Sequence, residues 1–308
     1  MRSSAPMLRT AARGLATVAK QPTAAKQPLV TTSLCSSSGV LTVAFNQEKK
    51  LNAWTMPLLQ ETFTVLNDAA ASEEVKGVVL TGNGKYYSAG VDLSAMIQVK
   101  APSALIHQIR DQNQLVFETF INFPKPLIAA VNGPAIGAAV TTATLTDAIV
   151  ALEGASFNLP FAKLGVPPEG CSSVTFAEMM GEVKAQRMLG LEQWTPTARE
   201  ALDAGLIAEV IPGDDRDALL ARATALCEER IAAGGGRRYN VEEALRLKTI
   251  NAEESAQLAN AFVSPTFLGA MYDFNVRRKK SQLAAFFFTA KALLPLWQPS
   301  PIAPNPVV

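Results

Sequence analysis

Histidine is the scarcest functional residue of this chain: His107 is the only one among 308 residues. A Ser-His-Asp triad would have to be built on it, and a metal centre made of histidines has no ligands to draw on. Cysteine is almost as scarce. Cys35, Cys171 and Cys227 show neither metal-ligand nor disulfide spacing, and they read as reduced thiols of an intracellular protein. An excess of charge is also missing. Lys and Arg number 28 against 27 Asp and Glu, a net charge of +1, so no nucleic-acid partner is expected and any site for an anionic ligand must be local. No apolar run approaches the ~18 residues of a membrane span. The stretch 283–297 is broken by Lys291 and Pro295 and reads as a packed helix.

Acidic residues are absent from the start of the chain. None precedes Glu48, whereas Arg2, Arg9, Arg13, Lys20 and Lys26 lie among Ala, Ser and Thr. That composition reads as an organelle transit peptide over residues 1–30, with a disordered leader as the alternative. The closing Pro-Asn-Pro-Val-Val is unlike a peroxisomal Ser-Lys-Leu signal. The expected location is therefore the mitochondrial matrix, with the peroxisome as second choice.

What is present is an alternation of strands and helices. Residues 40–45 alternate and are β-branched, and 77–81, 127–131, 148–152 and 206–211 read as further strands. Helical spacing covers 56–70, 103–122 and 137–146. Thr195-Pro196 looks like a cap followed by proline in the first helical turn, and Gly205 marks the stop. From Asp214 the pattern is helical, interrupted at Gly234-Gly235-Gly236. Strands alternating with helices, then helices alone, predict an α/β fold over 31–212, a helical region over 213–297 and a tail over 298–308.

Two segments of small residues each follow an apolar strand. One is Ser88-Ala89-Gly90-Val91-Asp92-Leu93, after Val78-Val79-Leu80-Thr81. The other is Asn132-Gly133-Pro134-Ala135-Ile136-Gly137-Ala138-Ala139, after Leu127-Ile128-Ala129-Ala130-Val131. Each reads as a tight turn into a helix, which leaves backbone N–H groups without internal partners. Two such turns face to face would hold one developing oxyanion. An acid, Glu169, lies between Pro167-Pro168 and Gly170, ahead of Cys171-Ser172-Ser173. A rigid, partly apolar loop can project it into a pocket, where burial raises its pKa; a capping or surface glutamate is the alternative.

The two turns resemble the oxyanion-hole motifs of the crotonase (enoyl-CoA hydratase/isomerase) superfamily. Asn46-Gln47-Glu48-Lys49-Lys50-Leu51-Asn52-Ala53 is similar to that family's CoA-contacting segment. Leu164-Gly165-Val166-Pro167-Pro168-Glu169-Gly170-Cys171-Ser172-Ser173 resembles the version in peroxisomal-type Δ3,Δ2-enoyl-CoA isomerases. The resemblance implies a spiral of ββα units with a helical C-terminal trimerisation region, and a homotrimer or dimer of trimers. It implies an acyl-CoA thioester as substrate, with no cofactor and no metal. Val91 and Ala138 would supply the oxyanion N–H groups and Glu169 the base. Ser88, Ala89, Gly90, Asp92, Gly137, Lys49 and Ala53 would line the substrate site, with Lys50 beside them. Met96, Ile97, Phe117 and Phe120 would hold the acyl chain, and Arg277-Arg278-Lys279-Lys280 would reach a neighbouring subunit's CoA. Hydratases of the family use two glutamates; their places here are Thr141 and the run Asn158-Leu159-Pro160-Phe161. One acid without a partner favours double-bond isomerisation in fatty-acid β-oxidation. Hydration, dienoyl-CoA isomerisation and non-catalytic acyl-CoA binding are the alternatives.

Overall fold

The computed structural model describes residues 27–92 and 101–307. The chain opens on an antiparallel hairpin of β1 (Val30–Cys35) and β2 (Val40–Phe45), followed by α1 (Met56–Ala71). The hairpin turn needs Gly39: its φ is +71°, and a Cβ there would lie 2.8 Å from the Glu74 carbonyl oxygen. Thr55 caps α1 through its side chain, and proline stands in the first turn. Then come β3 (Gly77–Gly82) and α2 (Pro102–Ile121), β4 (Leu127–Val131), the two-residue β5 (Ala135–Ile136) and α3 (Ala138–Thr144). After them follow β6 (Ala148–Leu152), β7 (Phe157–Asn158) and α4 (Phe161–Leu164). The repeated strand–strand–helix order agrees with the expected ββα units.

Six strands form one sheet in the order β1-β2-β3-β4-β6-β8, where β8 is Glu209–Ile211. All pairs beyond the first hairpin are parallel. Parallel strands covered on both faces need apolar residues at every position, and β3 and β4 are buried throughout. On one face lies α8 (Arg216–Ala232), whose Leu219, Ala223 and Cys227 pack on Val79, Ile128 and Val150. The other face carries the main core, which includes Leu58, Phe117 and Phe157. β5 and β7 form a second, small parallel sheet that carries the loops of the site.

The C-terminal half is helical. After α5 (Ser172–Met180), α6 (Glu182–Leu189) and α7 (Ala198–Ala204), α8 leads to α9 (Val241–Phe262). The last helices are α10 (Pro265–Arg277), α11 (Ser281–Ala292) and α12 (Leu294–Trp297). Among the described residues no helix is long and apolar enough to cross a membrane.

Several boundaries differ from those the sequence predicts. Strand β1 was not anticipated; its outer residues are largely exposed, so the apolar signal is thin. The cap of α7 is Thr197, not Thr195. It forms a reciprocal capping box with Glu200, and Pro196 stays outside the helix. The strand expected at 206–211 shrinks to Glu209–Ile211, because Leu206 and Ile207 turn inward after the left-handed Gly205. The leader is described only from residue 27, and Leu93, Met96 and Ile97 lie outside the described residues.

Candidate active site

The first turn is built from three strands of chain. Asn52 is fully buried and takes a left-handed φ of 52°. Its side-chain amide donates to the carbonyls of Asn83 and Tyr86 at 2.9 and 2.8 Å. Its side-chain oxygen accepts from the Gln47 N–H at 2.9 Å. The Ala89 N–H donates to the Leu51 carbonyl at 2.9 Å, and the Trp54 N–H to that of Gly90 at 2.8 Å. Gly90 must be glycine: its φ is +74°, and a Cβ would sit 2.4 Å from the Ile136 carbonyl oxygen.

The second turn is tied directly to the first. Ile136 N–H donates to the Ser88 carbonyl at 3.0 Å, and Ser88 N–H to that of Pro134 at 3.4 Å. Gly137 has φ +59° and ψ −130°, a conformation open to glycine alone, although a Cβ there would meet nothing within 4 Å. It turns the chain into α3 with Ala138 as the first helical residue. The N–H groups of Val91 and Ala138 have no hydrogen-bond partner among the described residues. Val91 is 37% exposed and Ala138 4%, and both line one cavity of 1190 Å³.

Glu169 lines the same cavity and is 6% exposed. Its backbone carbonyl accepts from the Ser172 hydroxyl at 2.7 Å, while its carboxylate receives no hydrogen bond among the described residues. Burial pushes this carboxyl up to about 8, and the neighbouring Glu254 carboxylate pushes in the same direction. Gly170 follows with φ +66°; a Cβ would lie 2.5 Å from the Phe117 ring and 2.8 Å from Thr141 Cβ. The close fit sets Glu169 on the cavity wall between α2 and α3.

Apolar lining comes from Leu105, Ile109 and Val116 of α2, Leu258 and Phe262 of α9, and Phe267 and Phe287 of α10 and α11. Lys50, Lys163, Arg277, Arg278, Lys280 and Lys291 line the cavity too, and all six are exposed, as cations around an anionic ligand would be. Arg278 also lies over the Phe274 ring, 4.3 Å from its centroid.

Ala89, Gly90, Val91, Asp92, Gly137, Ala138, Ala53 and Glu169 therefore meet at one cavity. Other expected residues do not. Ser88 is fully buried; its hydroxyl donates to the Asn52 carbonyl at 2.8 Å and accepts from the Gly90 N–H at 3.1 Å, so it braces the turn instead of lining the cavity. Lys49 ends outside the lining; the one-turn helix Glu48–Lys50 presents Lys50 there instead. Phe117 and Phe120 are core residues and do not line the cavity. Arg277, Arg278 and Lys280 line this chain's own cavity, and Lys279 does not.

At the two places of the hydratase glutamates, Thr141 is fully buried with its hydroxyl turned to the Ala138 carbonyl, and Phe161 is buried and apolar. Asp147 accepts from the Leu127 N–H at 2.8 Å and serves as a structural acceptor. Glu178 pairs with Arg246 and Glu153 with Arg199 at the surface.

The sequence reading missed Glu254, 4% exposed on α9. A signal for it existed. Glu254 keeps the three-to-four spacing of Leu247, Asn251 and Leu258, all buried, and a carboxylate on such a face requires partners.

Comparison with known proteins identifies the family. Residues 36–264 match the family described as enoyl-CoA hydratase/isomerase. The human Enoyl-CoA delta isomerase 2 is 36% identical, over 80% of this chain and 63% of its own length. This chain thus spans less than two thirds of that relative. The mouse protein named Enoyl-CoA delta isomerase 3, peroxisomal, is 32% identical over 80% of this chain and 79% of its own length. The crystal structure of an enoyl-CoA hydratase/isomerase from Pseudoalteromonas atlantica T6c superposes with a TM-score of 0.67 at 25% identity, covering 81% of this chain and 98% of that one. A match running from the first hairpin turn to the end of α9, with a relative matched over most of its own length, places this chain in the enoyl-CoA hydratase/isomerase family.

Proposed function

We propose that this chain is a Δ3,Δ2-enoyl-CoA isomerase that converts 3-enoyl-CoA into 2-trans-enoyl-CoA in fatty-acid β-oxidation. One observation carries the reading. Among the described residues, the cavity joins two unpartnered backbone N–H groups to one buried carboxyl, while the two hydratase acid positions hold a buried threonine and a buried phenylalanine.

The thioester oxygen would accept from Val91 and Ala138. Both donors are fixed before the substrate arrives, so they favour the oxygen most when it carries charge. Ala138 adds the positive end of α3. Ionised Glu169 would take a proton from C2; the C–H electron pair moves into a dienolate held by the two donors. The same carboxyl, now protonated, would deliver that proton to C4, and the double bond shifts from C3=C4 to C2=C3. A base that must also act as an acid works best with a pKa near the working pH, and burial brings Glu169 there. The exposed cations at the cavity mouth suit CoA phosphates. No metal or redox cofactor enters this scheme.

Exposed Phe288, Leu293 and Leu296 on α11 and its continuation support assembly into a trimer or dimer of trimers. The acid-free, arginine-bearing leader supports import into mitochondria, with the peroxisome as the alternative; a fluorescent fusion of residues 1–35 tests this. The reaction itself is tested with 3-hexenoyl-CoA and 2-hexenoyl-CoA side by side. Isomerisation without comparable water addition supports the reading. Water addition at a similar rate refutes it, and inertness toward both leaves an acyl-CoA-binding protein.

A further inference from the structure

We propose that Glu254 is the positioning residue of this site: from α9 it clamps the strained turn that aims Glu169 into the cavity. The inference rests on the isomerase reading of Glu169 and adds the group that holds the base in place.

The turn after Glu169 is unusual. Gly170 and Cys171 take left-handed backbone conformations in succession, at φ +66° and +64°. Glycine does so freely, but a residue with a Cβ is disfavoured there by ~1–2 kcal/mol. Cys171 is also the N-cap of α5 and supplies no side-chain cap. Its thiol instead points to the Leu247 carbonyl of α9 at 3.2 Å. The missing cap comes from elsewhere in the chain. One carboxylate oxygen of Glu254 accepts from the Cys171 N–H at 2.6 Å, and the other from the Ser173 N–H at 3.0 Å.

Glu254 thus satisfies two donors that the start of α5 leaves open, and it fixes the backbone two residues beyond the base. Its place on α9 is itself secured. Neighbouring Ser255 receives a bond from the Asn113 side chain of α2 at 3.1 Å, and Asn251 donates to the Gln114 carbonyl at 2.9 Å. Base, clamp and apolar wall are therefore one connected unit. Glu254 does not line the cavity, so it has no route to the substrate.

The clamp also acts through charge. Facing the turn from α9 are the Glu254 carboxylate and, further along, Arg246, which pairs with Glu178 of α5. α2 and α3 present Phe117 and Thr141, which do not titrate. The Cys171 thiol, pushed up by burial, stays neutral. Burial raises the Glu254 carboxyl above its ordinary range, and the bonds from Ser173 and the Cys171 N–H pull it back toward the charged form; when ionised, it makes Glu169 hold its proton to higher pH.

The test compares Glu254→Gln, Glu254→Asp and Glu169→Gln in the full chain, with circular dichroism and CoA affinity confirming the fold. Gln presents an amide N–H to a backbone donor and removes the charge; Asp keeps the charge but shortens the reach. Both should lose ~10–100-fold in kcat with KM nearly unchanged, the cost of a misplaced base. The rising limb of kcat/KM against pH should move to lower pH in Glu254→Gln and much less in Glu254→Asp. Folded Glu254 variants with wild-type kcat and an unmoved limb would overturn the proposal, and so would variants that merely unfold, since Glu254 would then serve the fold alone. If Glu169→Gln itself stays active, the isomerase base is wrong and the failure lies in that reading instead.

Discussion

The two sides of the cavity are built on opposite plans. The donor side offers backbone atoms, held by backbone hydrogen bonds between 88–91 and 134–137, and its side chains are small or absent. The acid side offers one side chain, whose carboxylate has no partner among the described residues, on a turn secured from a distant helix. The difference says what each side tolerates. On the donor side, harm comes from adding a Cβ or removing an N–H; on the acid side, it comes from removing a functional group.

The hardest blow to this contrast is Glu169→Gln, which should cut kcat by ~10²–10⁴-fold and leave acyl-CoA affinity nearly intact. Wild-type kcat/KM should rise with pH through a midpoint near 8, because the base acts when ionised. The same substitution should stabilise the fold. With its pKa raised in the folded state, Glu169 keeps its proton there while the unfolded chain has lost it, so wild-type stability falls as pH rises from about 4.5 to about 8. Thermal melts should show the Gln variant gaining on wild type across that window, by a few kcal/mol at most. A constant gap between the two melting curves would show that Glu169 titrates normally.

Ala138→Pro removes one N–H and no functional side chain. A proline fits a first helical turn, and the loss of an oxyanion donor costs ~10²–10³-fold in kcat. A folded variant with near-normal turnover would remove Ala138 from the hole. Gly90→Ala adds only a methyl group. Its Cβ would meet the Ile136 oxygen at 2.4 Å, so the two turns must separate. We expect roughly 1–3 kcal/mol of lost stability and a drop in kcat larger than any rise in KM. Val91→Ala should do least. The donor is the backbone N–H, and trimming an exposed side chain typically changes free energy by under ~0.5 kcal/mol, about twofold in kcat. A large loss there would mean that the valine side chain, not its backbone, meets the substrate.

The sequence displays the donor side far better than the acid side. Gly90 and Gly137 are visible because a backbone that bends into positive φ needs glycine, and the strands before them are continuous apolar runs. Glu169 is visible through its prolines and glycine. Glu254 is hidden because its partners are the backbone of residues 171 and 173, and backbone leaves no mark in a sequence. Ser88 and Lys49 fail for a related reason. Their segments reach the cavity, but a turn of one residue decides which side chain faces it, and hydroxyl and ammonium groups find nearer partners or water. The boundary of α7 shifts because local capping at Thr197 prevails over the proline signal, and that of β8 because Leu206 and Ile207 turn inward after Gly205.

The sheet is threaded almost in the order of synthesis, each strand beside one already made, except that the walls of the cavity arrive last. Glu254 leaves the ribosome 83 residues after Cys171. At ~5–20 residues per second that is a delay of roughly 4–17 s. During this interval the nascent chain holds Glu169 without the Glu254 clamp on its turn, and Gly90 and Gly137 without the cations of α10 and α11. On the isomerase reading, proton transfer would be a property that the chain acquires only once α9 is made, and a fragment ending before α9 would lose it.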